Sequence, residues 1–126
     1  MSPKLIILFR VGLVAEILLI LYLTTTSIQY EVGQEINDKV SHALAFLSLS
    51  FLADYAFPNS HFSLRKIIAV LSYGVLIECI QYFLPYREFS LLDMAGNTVG
   101  LLVYMACIPL FQRVPLLKQR RLDNVN

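Results

Sequence analysis

Four apolar runs, each close to the roughly 20 residues a helix needs to cross a bilayer, make up most of this chain and are separated only by short polar breaks. They extend from about Leu5 to Thr24, Val40 to Phe57, Ile67 to Leu84 and Leu91 to Phe111. In hydrocarbon every backbone N–H and C=O must be paired within the protein, and runs this long exceed the strands of a barrel. The sequence therefore predicts an all-α membrane protein of four transmembrane helices, forming one domain over residues 1–126. Composition agrees: of 126 residues 57% are hydrophobic and 15% charged, against about a quarter charged in soluble domains. No length is left for a separate soluble module, and without a basic patch interleaved with aromatics there is no basis for a nucleic-acid partner.

The breaks carry helix punctuation. Ala56-Phe57-Pro58-Asn59-Ser60 ends the second run, Ser63 is placed to cap the third, and Pro85 ends it because proline cannot continue the ladder. Ser90-Leu91-Leu92-Asp93 reads as a capping box for the fourth. The first run competes with a signal-peptide reading, since Lys4 and Arg10 precede Val11 to Leu23. Glu16 interrupts that stretch and Thr24 to Gln29 offers no small-x-small cleavage site, which favours a retained helix. Cys79 and Cys107 lack a CxxC spacing and read as two small buried hydrophobes.

Lysine and arginine set the orientation. Lys4, Arg10, Arg65, Lys66, Arg113, Lys118, Arg120 and Arg121 fall at the chain ends and the middle break, whereas only Lys39 and Arg87 fall at the other two breaks. Eight against two predicts cytoplasmic N- and C-termini, with the segments around Asp38 and Arg87 facing outward.

Against this apolar background a set of polar residues stands out. At about 1.5 Å of rise per residue, Asp38, His42, Glu78, Gln81, Arg87, Asp93 and Asn97 all fall in the outer third of the bilayer or at its surface. Asp38 and His42 are four apart, Glu78 and Gln81 three, Asp93 and Asn97 four, so each pair shares a helix face. Ionisable groups within a membrane usually face a cavity or a partner. Gly96-xxx-Gly100 lies on nearly the same face as Asn97 and would let a neighbouring helix approach closely. A polar pocket open to the outside is the expected result. Blander roles compete: Ser90 and Asp93 as a cap, Asp38 serving the helix dipole, Lys39 and Arg87 snorkelling to headgroups, and Asn97 making one interhelical bond. Glu78 resists such a reading, because a carboxylate at that depth must be protonated, paired or hydrated. Glu16 lies mid-span with no partner to name, Asp54 is expected near the inner surface beside Arg65 or Lys66, and His61 reads as solvated. Tyr22, Tyr30, Tyr82, Phe83, Tyr86 and Phe89 suit an outer aromatic belt.

At these residues the chain resembles the VanZ-like family of small bacterial membrane proteins. The resemblance is carried by Asp38-Lys39-xx-His42 followed by Phe46, then by Glu78-xx-Gln81, Pro85-x-Arg87, Asp93, Asn97 and Gly100, a motif-bearing region of 38–104. Tyr86 stands where the family usually has glycine, and Tyr104 where a small residue is expected one turn after Gly100. What the resemblance implies is a place in the bacterial plasma membrane and cell envelope, the family's namesake being associated with low-level resistance to teicoplanin, an acylated glycopeptide.

The leading functional expectation is a membrane protein whose outer site binds the polar head of a lipid, cell-wall precursor or lipoglycopeptide. Lys39 and Arg87 would attract phosphate or carboxylate, and Asp38, His42, Glu78, Gln81, Asp93 and Asn97 would complete the site. Membrane lipids are the expected partners, and a homo-oligomer is compatible. One alternative is a lipid-modifying enzyme of the outer leaflet, with His42 as base oriented by Asp38 and Glu78 as acid. No dedicated nucleophile supports it, the spacing of Asp38, His42, Glu78 and Asp93 matches no metal-ligand signature, and no cofactor is expected. In the other alternative the cluster is interhelical glue in a structural or partner-binding protein. A proton-coupled transporter is more remote, since four helices are few for alternating access.

Overall fold

The computed structural model describes residues 2–25, 35–58, 62–85 and 91–115, with the side chains of 35–38 outside that description. Four helices account for nearly all of them: α1 (Pro3–Thr25), α2 (Glu35–Ala56), α3 (Leu64–Phe83) and α4 (Leu91–Phe111). No strand occurs among the described residues. The fourth apolar run and α4 coincide, whereas α2 begins five residues before its run, since Glu35 and Asp38 are acceptable in a helix's first turns. Ser63 takes the extended backbone of an N-cap (φ −89°, ψ 171°) without a side-chain cap bond, and α3 ends with the Leu84 N–H on the Gln81 carbonyl.

Cross-helix bonds fix an up-down-up-down bundle. Arg10 Nε donates to the Ala56 carbonyl at 2.9 Å, joining the start of α1 to the end of α2. Lys66 at the start of α3 reaches Asp54 near the end of α2, and Gln81 Nε2 near the end of α3 donates to the Thr24 carbonyl of α1 at 2.9 Å. Lys39 and Asp93 join the starts of α2 and α4. α1, α3 and α4 are each long and apolar enough to cross a bilayer. α2 carries the charges and packs against all three others, so its polar groups meet protein instead of lipid.

Burial follows a membrane pattern. Glu78, Asp54 and Ser50 are 0% exposed, while Phe83 is 81% and Leu91 70% exposed. Soluble domains rarely bury acids unless they are paired, but in lipid a polar group is cheapest in the bundle interior. One stripe along α4 shows the arrangement: Asp93, Asn97, Gly100, Leu101 and Tyr104 are all buried. Phe46, Leu49, Ile20, Val70, Ile77 and Leu101 form the apolar centre. Cys79 departs from its expected burial. It is exposed on α3, because the inward face of that helix is taken by Gly74, Ile77, Glu78 and Gln81.

The closest helix contact is where the Gly96-xxx-Gly100 spacing predicts it. A Cβ added to Gly100 would lie 2.1 Å from the Ala43 carbonyl oxygen and 2.9 Å from the Leu47 nitrogen, so the α4 backbone rests on that of α2. One turn on, Tyr104 is not a small contact residue but a fully buried ring. Its hydroxyl donates to Asp54 Oδ2. Lys66 Nζ holds Oδ1 of the same carboxylate at 2.9 Å and also donates to the Asp54 and Phe57 carbonyls, each at 2.9 Å. Asp54 therefore pairs with Lys66, as its place in the chain predicts, and Tyr104 completes a buried triad. Phe51 packs beside it against Tyr55, Tyr104 and Phe111. Glu16, for which the sequence names no partner, accepts from Ser48 Oγ at 3.2 Å.

Three outcomes are expected from unfolding titrations in detergent. Gly100→Ala drives a Cβ into backbone and should lose about 3 kcal/mol or more. Gly12→Ala, which meets only the Leu52 side chain at 3.5 Å, should be neutral or gain up to about 1 kcal/mol of helix propensity. Asp54→Leu strands a buried ammonium and should lose about 3–5 kcal/mol, most of it recovered on adding Lys66→Met; a double variant no more stable than the single would contradict this account.

Candidate functional site

The starts of α2 and α4 and the end of α3 meet at one end of the bundle, where the closeness of α4 to α2 brings their polar residues into contact. A Cβ on Gly96 would lie 3.3 Å from the Lys39 carbonyl oxygen and 3.5 Å from His42 Cβ. On either side of this glycine the two helices exchange polar contacts. Lys39 Nζ pairs with Asp93 Oδ1. His42 Nδ1 lies 2.9 Å from Asn97 Oδ1, and His42 Nε2 lies 3.7 Å from Asp93 Oδ2. A ring nitrogen facing a carbonyl oxygen donates its proton, so the Nδ1–H tautomer is the one this arrangement selects. Asp93 is thus shared between an ammonium and an imidazole, and Asn97 fixes the ring.

α3 closes the cluster from the side. A Cβ on Gly74 would stand 3.2 Å from Asn97 Nδ2 and 3.3 Å from the Phe46 ring. Glu78, one turn beyond Gly74 on the same face, therefore stands about 6 Å further along, at the level of His42 and Asp93. Gln81 turns its amide N–H to the Thr24 carbonyl, tying α1 to this end. Gln81 Oε1 and Asn97 Nδ2 are buried and make no hydrogen bond among the described residues, each leaving a cost of about 1–3 kcal/mol that an added partner would relieve.

Apolar cavities flank the cluster. Between α1 and α2 lies one of about 100 Å³, lined by Ile20, Leu23, Thr24, Ser41, His42, Ala45 and Phe46. Between α3 and α4 lies another of about 230 Å³, whose wall includes Phe46, Gly74, Met94, Asn97 and Thr98. Among the described residues the cluster is a set of mutually paired side chains with largely apolar space on both sides. The pairing follows from the small residues of α4, which let α2 come near enough for Lys39 and His42 to meet Asp93 and Asn97 directly.

Of the eight residues singled out from the sequence, Lys39, His42, Asp93 and Asn97 are brought into contact, and Glu78 and Gln81 are buried on the adjoining face of α3. The Asp38 side chain and Arg87 lie outside the described residues, as does Ser90 of the expected capping box. Asp93 faces both Lys39 and His42, while the expected orientation of His42 by Asp38 falls on a side chain outside the described residues. Thr24 escaped notice because it contributes only a backbone carbonyl. The triad at the other end is half legible, since Asp54 and Lys66 flank one short break, whereas Tyr104 stands out only as a large residue in a small-residue position, with nothing to aim its hydroxyl at Asp54. Among the described residues no group of three or more His, Cys, Asp and Glu is gathered to hold a metal ion.

No curated protein sequence and no solved structure matches this chain. The sequence model of the family described as VanZ/LLP1 matches residues 6–112. That span takes in all of α2, α3 and α4, nearly all of α1, and every contact of the polar cluster. With more than four fifths of its length matched and the Lys39, His42, Asp93 and Asn97 positions meeting in space, the chain belongs to the VanZ-like family.

Proposed function

We propose that this protein crosses the bacterial plasma membrane four times with both termini cytoplasmic, and that the cluster end of the bundle faces outward and binds the polar head of an amphiphile. The observation that carries this reading is the position of His42, which is fixed by Asn97 and also forms part of the wall of an otherwise mostly apolar cavity between α1 and α2. A polar group held at the edge of apolar space is complementary to a molecule with a head and a chain. Asn97 Nδ2 and Gln81 Oε1 supply an unused donor and acceptor close by. Lys39 is already matched by Asp93, so attraction of a phosphate or carboxylate falls mainly to Arg87. A cell-wall lipid precursor has the required shape, as does an acylated glycopeptide of the teicoplanin kind. The orientation rests on Lys4, Arg10, Arg65, Lys66 and Arg113 at one end of the described helices against Lys39 at the other.

Catalysis by His42 is the second reading, favoured by its fixed ring and the carboxylate beside it. Binding is preferred because Nε2 looks toward Asp93.

Native mass spectrometry of gently solubilised protein tests the binding. Wild type should retain a defined envelope lipid or precursor, and both His42→Ala and the cavity-filling Ala45→Phe should lose it by about tenfold or more, the loss of one good polar contact. Variants that lose stability yet keep the adduct would show the cluster to be interhelical glue. For orientation, in a background with Cys79 and Cys107 replaced by Ala, Arg87→Cys should react with a membrane-impermeant maleimide in intact cells, and Arg65→Cys only after permeabilisation. The opposite pattern would invert the proposed topology.

A further inference from the structure

At the end of the bundle remote from His42, an apolar trough lies between α1 and α3 over α2. It encloses about 320 Å³ and is walled by Leu13, Ile17, Leu49, Val70 and Tyr73. Phe57, Lys66 and Ala69 belong both to this trough and to a wider cavity of about 560 Å³ whose rim adds Ser63, Leu64 and Arg65. The two cavities adjoin across these three shared wall residues, the first lined mainly by apolar side chains and the second rimmed by Arg65. Arg10 reaches the same place from α1, its guanidinium 5.3 Å from the Phe57 ring centroid.

The charge there is unbalanced. Lys66 is matched by Asp54, which is 0% exposed and also takes the Tyr104 hydroxyl. Asp54 is the acid of this end among the described residues, and it is already committed, which leaves Arg10 and Arg65 over the opening with Lys4 and Arg113 on neighbouring helix ends. A ligand that fits must be anionic at its head and apolar in its tail, and it must be present in the membrane. Basic pockets between transmembrane helices suit the headgroups of acidic lipids, and a zwitterionic lipid would bring a cation of its own against Arg65.

We infer that this end of the bundle seats an anionic phospholipid, with its phosphate at Arg65 and Arg10 and an acyl chain in the α1–α3 trough. The site rests on the membrane-spanning reading and is independent of the polar cluster. The test is native mass spectrometry of the full chain after exchange into micelles holding equal amounts of phosphatidylglycerol and phosphatidylcholine. Wild type should retain phosphatidylglycerol in about tenfold preference. Arg65→Gln, alone and with Arg10→Gln, should bring the ratio toward one, and Ala69→Phe, which fills the passage, should lower retention of both lipids. Leu92→Ala, an exposed position of α4 at the opposite end, should leave the ratio unchanged. Size-exclusion and circular dichroism profiles matching wild type confine the comparison to folded protein, and Arg65, being exposed, tolerates replacement if the double variant does not fold. Equal retention of the two lipids by wild type, a preference that survives Arg65→Gln, or its loss in Leu92→Ala would overturn the assignment.

Discussion

The approach of α4 to α2 at Gly100 and Ala43 governs everything on either side of it. In lipid there is no hydrophobic drive to bring two apolar helices together, so close van der Waals packing and interhelical hydrogen bonds must hold them. Backbone-to-backbone contact at Gly100 sets the separation and register of the pair at once. With about 1.5 Å of rise per residue, Asn97 and Asp93 then lie roughly 5 and 10 Å toward one end, opposite His42 and Lys39. Tyr104 lies roughly 6 Å toward the other, opposite Asp54. A bulkier residue at position 100 would separate both sets of partners together.

The polar groups at the two ends do more to specify this arrangement than to strengthen it. Burying an ion pair costs about as much desolvation as its attraction returns, but parting its members costs far more. A one-turn slip of α4 against α2 would strand Asp93 from Lys39 and Tyr104 from Asp54, while the apolar centre around Phe46, Leu49 and Leu101 would tolerate it better. The apolar middle supplies contact and the polar ends choose among contacts that are otherwise nearly equivalent.

This division explains what could be read from the sequence. Spacing along one helix gives its face, so Asp93 with Asn97 and Glu78 with Gln81 could each be placed on an inward stripe, and Gly96-xxx-Gly100 announced the close neighbour. Spacing says nothing about the rotation of one helix against another. That is why Asp54 could be put near Lys66 but not under the Tyr104 hydroxyl, and why nothing in the spacing set Asp93 beside His42. The same gap misplaced Cys79. An apolar run looks alike on every side, and only the rotation that turns Glu78 and Gln81 inward sends Cys79 outward.

The two ends of the bundle also differ in how they can select. At the cluster end Lys39 and Asp93 cancel, and His42 is held by neutral Asn97. Recognition by the described residues there must therefore work through shape and through the unused amide atoms of Asn97 and Gln81. At the other end Arg10 and Arg65 keep their charge toward the surface. Exposed charges are screened over about 8 Å at physiological ionic strength, whereas buried hydrogen bonds are not. Salt should therefore loosen whatever the basic end holds, and at the cluster end weaken only the attraction that falls to Arg87 while leaving the buried amide contacts of Asn97 and Gln81 nearly unmoved.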